Sequence, residues 1–328
     1  VASMFQNCKV LQHLDNLTLN LSKVTNASNA FRYCYKLKTP ALKKLLDACG
    51  SSLQNIDSIA FMMYADGVLG SATDTTRTLS KDLFENTPNI TSMSGSFCAT
   101  KYTTVNGDCF DNLTKLNNIN ACFGTMGELT TVGIGLLRNK PALTSCYAAF
   151  ADCRKLANYI TQPTIFAGSN AITNISQMFK GDTALKAPNG IDGMLDNLTG
   201  LTNAEYMFYN CKALVCAVPN GFFANNSRLT KLDGFFGLCS GLTQICDRLF
   251  RRQLEDTNTF PSLTQARYMF SGCTNLTGIV SNAFFLGASE LTDLGDGLNT
   301  TPWNSSGTFT GLHGFFADTK ITGYFDTF

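Results

Sequence analysis

The sequence predicts an α/β repeat solenoid, a stack of coils with short parallel strands and irregular or helical outer segments, running through residues 1–328 as a single domain. Three recurrences predict it. Phenylalanine returns in one phase at Phe5, Phe31, Phe61, Phe97, Phe123, Phe150, Phe179, Phe208, Phe236, Phe270 and Phe316, which divides the chain into about eleven irregular units of 26–46 residues. Six residues after the anchor stands Leu in eight units, at Leu11, Leu37, Leu129, Leu156, Leu185, Leu214, Leu242 and Leu276. Three residues after it stands Cys in six, at Cys8, Cys34, Cys153, Cys211, Cys239 and Cys273. A fixed period of this length is the signature of a repeat array.

The rest of each unit follows the same phase. Seven residues before the anchor an apolar residue recurs, usually followed by Thr, as in Val24-Thr25, Ile90-Thr91, Leu143-Thr144, Ile172-Thr173, Leu201-Thr202, Leu229-Thr230 and Leu263-Thr264. A half-period lies inside the unit, where Phe84, Phe110, Leu137, Phe166, Leu195, Phe223 and Phe285 each precede an apolar residue by six. One unit is therefore read as one coil with two apolar walls. After the Leu at plus six a second apolar residue often follows three later, as in Leu129 with Val132, Leu242 with Ile245, Leu276 with Ile279 and Leu11 with Leu14. Such a stretch suits a brief strand, and the surrounding Gly, Asn, Thr and Pro suit turns. A lone coil cannot cover two apolar walls, whereas stacking at about 4.8 Å per strand covers each with its neighbour and gives a rod or arc about 50 Å long. The wide gaps after Phe236 and Phe270 read as outer loops, with Arg251, Arg252 and Glu255 in one and Trp303 in the other.

Composition excludes several classes of function. Hydrophobic residues make 44% of the chain and Phe alone contributes 25, enough for a sizeable core and against disorder. Lys and Arg number 25 against 24 Asp and Glu, without the basic excess that phosphate neutralisation requires, so no nucleic-acid partner is expected. The longest apolar stretch, from Ile59 to Ala65, is far short of a membrane span. The chain opens on VASMFQNCKV, neither an initiator Met nor a basic-then-apolar leader, and is expected to be an excerpt of a longer protein or processed.

The units MFYNCKAL (207–214), MFSGCTNL (269–276), AFADCRKL (149–156) and FFGLCSGL (235–242), preceded by LTNAEY, LTQARY, LTSCYA and LTKLDG, resemble the BspA-like leucine-rich repeats of microbial surface proteins. Met before Phe at Met178, Met207 and Met269 is similar to the mycoplasma-type MFxxCxxL variant, although the units here are longer and less even. The resemblance implies a leucine-rich-repeat-like right-handed coil stack, displayed at a cell surface or a virion and used in adhesion or assembly.

Candidate chemistry is sparse. The in-phase cysteines admit metal binding or redox work, but they recur where a leucine-rich repeat places an inward apolar residue, so a column of small buried side chains is expected, with bridges between neighbours left open. The 13 cysteines are an odd number, which leaves at least one thiol without an intramolecular partner. His13 and His313 lie at opposite ends of the chain and cannot share a site. The carboxylate pairs Asp293/Asp296 and Asp192/Asp196 sit in turn-rich stretches and read as solvated acids. The two glycines in VGIGLL lack the third glycine and the Lys-Ser/Thr of a nucleotide loop. NxS/T triplets headed by Asn16, Asn20, Asn26, Asn89, Asn112, Asn174, Asn197, Asn225, Asn275, Asn299 and Asn304 read first as Asn-rich turns of the repeat. The lysines at 36, 38, 43 and 44 read as a solvated face. No metal, cofactor or catalytic residue is expected.

The strand wall would instead offer a continuous outward face, including Gln12, Thr130, Thr131, Asn158, Lys186, Thr243, Gln244 and Thr277. Small, polar and almost uncharged, it suits a broad protein or carbohydrate ligand. The expectation is a non-enzymatic surface interaction protein, cell-surface or extracellular. The alternative is an assembly component of a fibre, coat or virion, whose partners are further copies or neighbouring domains.

Overall fold

The segment around the Phe anchors from Phe97 to Phe270 is neither strand nor helix but a run of overlapping tight turns. In the coil of Phe150, Cys146, Ala148, Phe150 and Asp152 donate their N–H groups forward to the carbonyls of Asn174, Ser176, Met178 and Lys180 at 2.7–2.9 Å, and Ala149, Ala151 and Cys153 donate back three residues at 3.1–3.2 Å. Alternate amides therefore zip the seam and close the turn. The backbone cost is visible two residues either side of the anchor, where φ is positive: Ala121 and Thr125 flank Phe123, Ala148 and Asp152 flank Phe150, and Tyr206 and Asn210 flank Phe208. None of these six is glycine, so the turn is held by its seam bonds against a local penalty.

The computed structural model describes residues 1–18, 20–59, 77–160, 164–257, 259–280, 282–291, 293–295 and 315–323. Phe61, Asp296, Asn299, Trp303, Asn304 and His313 lie outside the described residues. Successive coils pair in parallel through single-residue bridges, Asn26 to Asn55, Ser92, Asn118, Ser145, Asn174, Asn203, Lys231, Gln265 and Asp293 in turn. On a second wall, β1 (Thr78–Leu79), β2 (Thr104–Val105) and β3 (Thr131–Val132) form a parallel sheet in that order, and β4 (Thr277–Val280) pairs in parallel with β5 (Lys320–Gly323). The fold is thus a repeat of stacked coils with short parallel strands.

The LxxI rule locates β3 after Leu129 and β4 after Leu276, and at Gln244 it yields isolated bridges to Ala217 and Thr277 in place of a strand. Leu11–Leu14 forms no strand. The coil beside it turns into helix α1 (Thr39–Cys49) directly after Lys38, whose N–H donates to the Gln12 carbonyl at 3.1 Å, so no strand partner runs on. Helix α1 has Pro40 in its first turn, where the missing N–H costs nothing, and buries Ala41, Leu42, Leu45, Leu46 and Cys49 on one stripe. The half-period residues Phe84, Leu137 and Phe285 close short 3₁₀ turns at Lys81–Phe84, Ile134–Leu137 and Asn282–Phe285.

Both apolar walls meet in one core. From Phe97 to Phe316 the anchors stack ring on ring, with centroids 5.2–6.0 Å apart and planes within 18°, and Phe5 stacks on Phe31 at 5.3 Å. Phe31, Phe150, Phe179, Phe208, Phe236 and Phe270 are buried, while Phe5 is half-buried at the first coil. Each near-parallel pair adds about 0.5–1.5 kcal/mol to what burial alone provides.

Candidate interaction surface

Cysteine is placed by the anchor itself. The thiols of Cys34, Cys153, Cys211, Cys239 and Cys273 donate to the carbonyls of Phe5, Phe123, Phe179, Phe208 and Phe236, the anchors of the preceding coils, at 2.8–3.0 Å. These five are buried, and Cys8, on the coil of Phe5, is exposed. None of the 13 cysteines forms a disulfide. Burial pushes the Cys34 thiol up to about 11 and those of Cys153, Cys211 and Cys273 well above the ordinary range. A thiol so held is a packed donor and a poor nucleophile. Among the described residues no group of three or more His, Cys, Asp or Glu side chains is placed to hold a metal.

The carboxylates serve as struts. Arg252, in the loop after Phe236, reaches across to Asp196 with both carboxylate oxygens at 2.7 Å and to Asp192 at 3.3 Å. Asp293 accepts the Gly295 N–H at 3.0 Å, and His13 lies beside Asp15 at 3.7 Å. Lys44, read from the sequence as part of a solvated basic face, instead caps the carbonyls of Leu14 and Asp15 at 2.7 and 2.9 Å. The inserted loop also walls a cavity of about 330 Å³ lined, among the described residues, by Arg251, Thr259, Phe285, Leu286, Gly287 and Ser289, none of which carries a carboxylate, thiol or imidazole.

All eight residues of the expected ligand face are exposed: Gln12, Thr130, Thr131, Asn158, Lys186, Thr243, Gln244 and Thr277. The backbone links them into two runs. Thr130, Ala157 and Lys186 follow one another by N–H to carbonyl bonds of 3.4 and 3.2 Å, which sets Thr130, Thr131, Asn158 and Lys186 on successive coils. Thr243 and Thr277 are joined at 3.1 Å, beside Gln244, which bridges both Ala217 and Thr277. Gln12 stands apart on the first coil. Val215, which the sequence did not single out, is also exposed on this wall, and so is Ile279, whose spacing after Leu276 predicts the inward side of the strand; it points outward instead.

Two further columns run along the stack, one from a recurrence the sequence shows without its role and one that the sequence does not announce. The Thr six residues before the anchor builds a ladder: Thr173, Thr202 and Thr230 each place Oγ1 on the carbonyl of the preceding Thr at 3.3, 3.0 and 2.9 Å, and Thr144 donates likewise to the Asn117 carbonyl at 3.0 Å. The next residue is the bridging one, and where it is Asn its Oδ1 accepts the N–H two residues on, at Asn26, Asn55, Asn118, Asn174 and Asn203. These Asx turns start the anchor segment and account for the triplets headed by Asn26 and Asn174. The second column is a ridge of tyrosines within three residues of the anchors. Tyr147 and Tyr268 are exposed, and Tyr206 and Tyr209 lie 5.6 Å apart with the Lys180 ammonium 5.7 and 5.9 Å from their centroids. Their offsets from Phe vary from coil to coil, so no single phase announces them.

No helix is long and apolar enough to cross a membrane among the described residues. No curated protein matches the chain. Among solved structures, a leucine-rich repeat protein from Bacteroides ovatus is similar over 96% of this chain and 78% of its own length, at 13% identity and a TM-score of 0.25. A TLR13–ssRNA13 complex is similar over 85% of this chain and 55% of that one, at 14% identity and a TM-score of 0.22. Residues 144–284, which carry the coils of Phe150, Phe179, Phe208, Phe236 and Phe270, match the family described as Mycoplasma protein of unknown function, DUF285.

Proposed function

We propose that the chain is a non-enzymatic interaction protein, a right-handed leucine-rich-repeat-like solenoid of the BspA-like kind that acts in adhesion at a cell surface by binding a protein or carbohydrate ligand on its strand wall. The observation that carries this reading is the exposure of all eight wall residues, seven of them in two runs along successive coils. Backbone groups there are spent on the neighbouring coils, so a ligand meets a flat array of short hydroxyls and amides rather than a cleft. Such an array suits many weak polar contacts spread over a broad area.

The test is retention of glycans and host surface proteins on arrays by the wild type and by a Thr131→Arg/Thr243→Arg variant, with light scattering on both. A monomer that retains a ligand class, and loses it in the variant, supports the reading. Concentration-dependent filaments that bind no arrayed ligand would replace it with the assembly role in a fibre, coat or virion.

A further inference from the structure

The thiol column has an acid in it. Three residues after Phe179, where the coils of Phe31, Phe150, Phe208, Phe236 and Phe270 carry Cys, stands Asp182, fully buried. Its Oδ1 accepts the Cys153 N–H at 2.7 Å, and its Oδ2 is buried without a hydrogen-bond partner. An ionised carboxylate with one oxygen orphaned in a core is costly. The groups facing it offer no compensation. Cys153 lies on the coil before and Cys211 on the coil after, both neutral thiols, and the nearby Asp152 carboxylate repels charge while itself drawn toward Arg154 at 3.5 Å.

The repeat supplies the missing partner. On the next two coils one anchor carbonyl receives two donors: Phe179 takes the Asp182 N–H at 3.1 Å and the Cys211 thiol at 3.0 Å, and Phe208 takes the Cys211 N–H at 3.0 Å and the Cys239 thiol at 2.8 Å. The Phe150 carbonyl takes the Cys153 N–H at 3.2 Å. Its second donor, by position in the column, belongs to Asp182.

We propose that Asp182 is a protonated carboxylic acid in the folded protein, its Oδ2–H donating to the Phe150 carbonyl in place of the repeat's thiol, and that the seam between these two coils is a pH-sensitive joint. Burial holds the Asp182 carboxyl well above the usual carboxylate range, in the same direction. The sign follows. With the folded value raised above the unfolded one, the joint is fully made below the ordinary carboxylate value and weakens as pH rises toward the folded value, because unfolding then releases a proton.

Urea unfolding of the full chain from about pH 4 to pH 8 tests this on the wild type, Asp182→Asn and Asp182→Cys. Both variants keep a neutral donor in the column. Relative to either, the wild-type folding constant is expected to fall by about tenfold per pH unit above about pH 4, up to the folded value. The infrared difference between wild type and variant at neutral pH is expected to show a protonated-carboxyl C=O band. Parallel pH curves, or a carboxylate band in that difference, would overturn the proposal. If the Asn variant does not fold, the Cys variant, which restores the residue of the neighbouring coils, carries the comparison.

Discussion

The thiol of Cys239 lies 2.8 Å from the carbonyl oxygen of Phe208, which also takes the Cys211 N–H at 3.0 Å. The anchor is thus gripped twice: its ring by the rings above and below, and its carbonyl by two coils at once. Cys239→Ser keeps a donor and is expected to be tolerated within about 1 kcal/mol, whereas Cys239→Ala loses both donor and volume and is expected to cost about 1–3 kcal/mol. Urea midpoints of the two variants check the order.

Alkaline pH should dismantle the stack. Burial raises Cys216 and Cys246 to about 12 and Cys34 to about 11, from an ordinary 9.0. The stability these thiols hold is fully present below about pH 9 and drains away as pH climbs toward the folded values, since the unfolded chain releases those protons first. Circular dichroism along a pH 8–12 series should show a cooperative loss. Labelling with a thiol reagent at pH 8 should modify Cys8 within the native state and spare Cys153, Cys211, Cys239 and Cys273 until denaturant is added; rapid native labelling of all 13 would contradict the buried column.

A methyl group at Gly234 should be poorly tolerated. This residue has φ +57° and lies under the Tyr206 ring, where an added Cβ would come within 2.4 Å of ring carbons. Gly234→Ala is expected to destabilise by about 2–4 kcal/mol. Adding Tyr206→Ala should recover the steric part and leave the backbone part, a coupling that a double-mutant cycle reads directly.

The opposite substitution should help where a non-glycine residue holds the same conformation. Ala121, at φ +49°, begins the turn before Phe123. Ala121→Gly is expected to gain up to about 1 kcal/mol, the left-handed penalty outweighing the entropy of the freed unfolded chain. A lower melting temperature for this variant would show that the alanine methyl packs more usefully than its backbone suggests.

The Arg252 strut should matter more to the inserted loop than to the fold. Its guanidinium is partly exposed and ties Asp192 and Asp196 to residues about 60 positions later. Asp196→Asn is expected to cost under about 1 kcal/mol globally. Limited trypsin digestion should nonetheless cut faster at Arg251 or Arg252; unchanged cleavage would mean that the Asp256 contacts alone, at 2.8 and 2.9 Å to the Arg252 and Gln253 N–H groups, hold the loop.

The core was written plainly in the sequence because burial admits few residue types, and Phe150, Leu156 and Leu143 each repeat one such choice coil after coil. The anchor segment was harder to see. Its left-handed positions are filled by Ala148, Gln177, Tyr206 and Leu238, residues with no turn signature, because the seam bonds rather than local propensity fix their φ. Helix α1 carries a readable Pro40 start and an apolar stripe, but it replaces a wall that other coils build from strands, so the period alone misplaces it. The exposed wall from Thr130 to Lys186 was reachable from the phase of Leu129 and Leu185, whereas the tyrosine ridge depends on which neighbours are small, as Gly234 is beneath Tyr206, and that is a relation between coils.

The step from ring to ring hardly changes while the chain spent on it does. Phe208 to Phe236 takes 28 residues, Phe236 to Phe270 takes 34 and Phe270 to Phe316 takes 46, yet the rings stay 5.7, 5.5 and 5.6 Å apart. In the Phe236–Phe270 unit the extra length is taken up outside the ring stack, in the loop from which Arg252 reaches Asp192 and Asp196. A gene built this way can acquire, trim or exchange surface segments while its load-carrying spindle stays in gear, which makes each outer loop a natural place to graft a new recognition element.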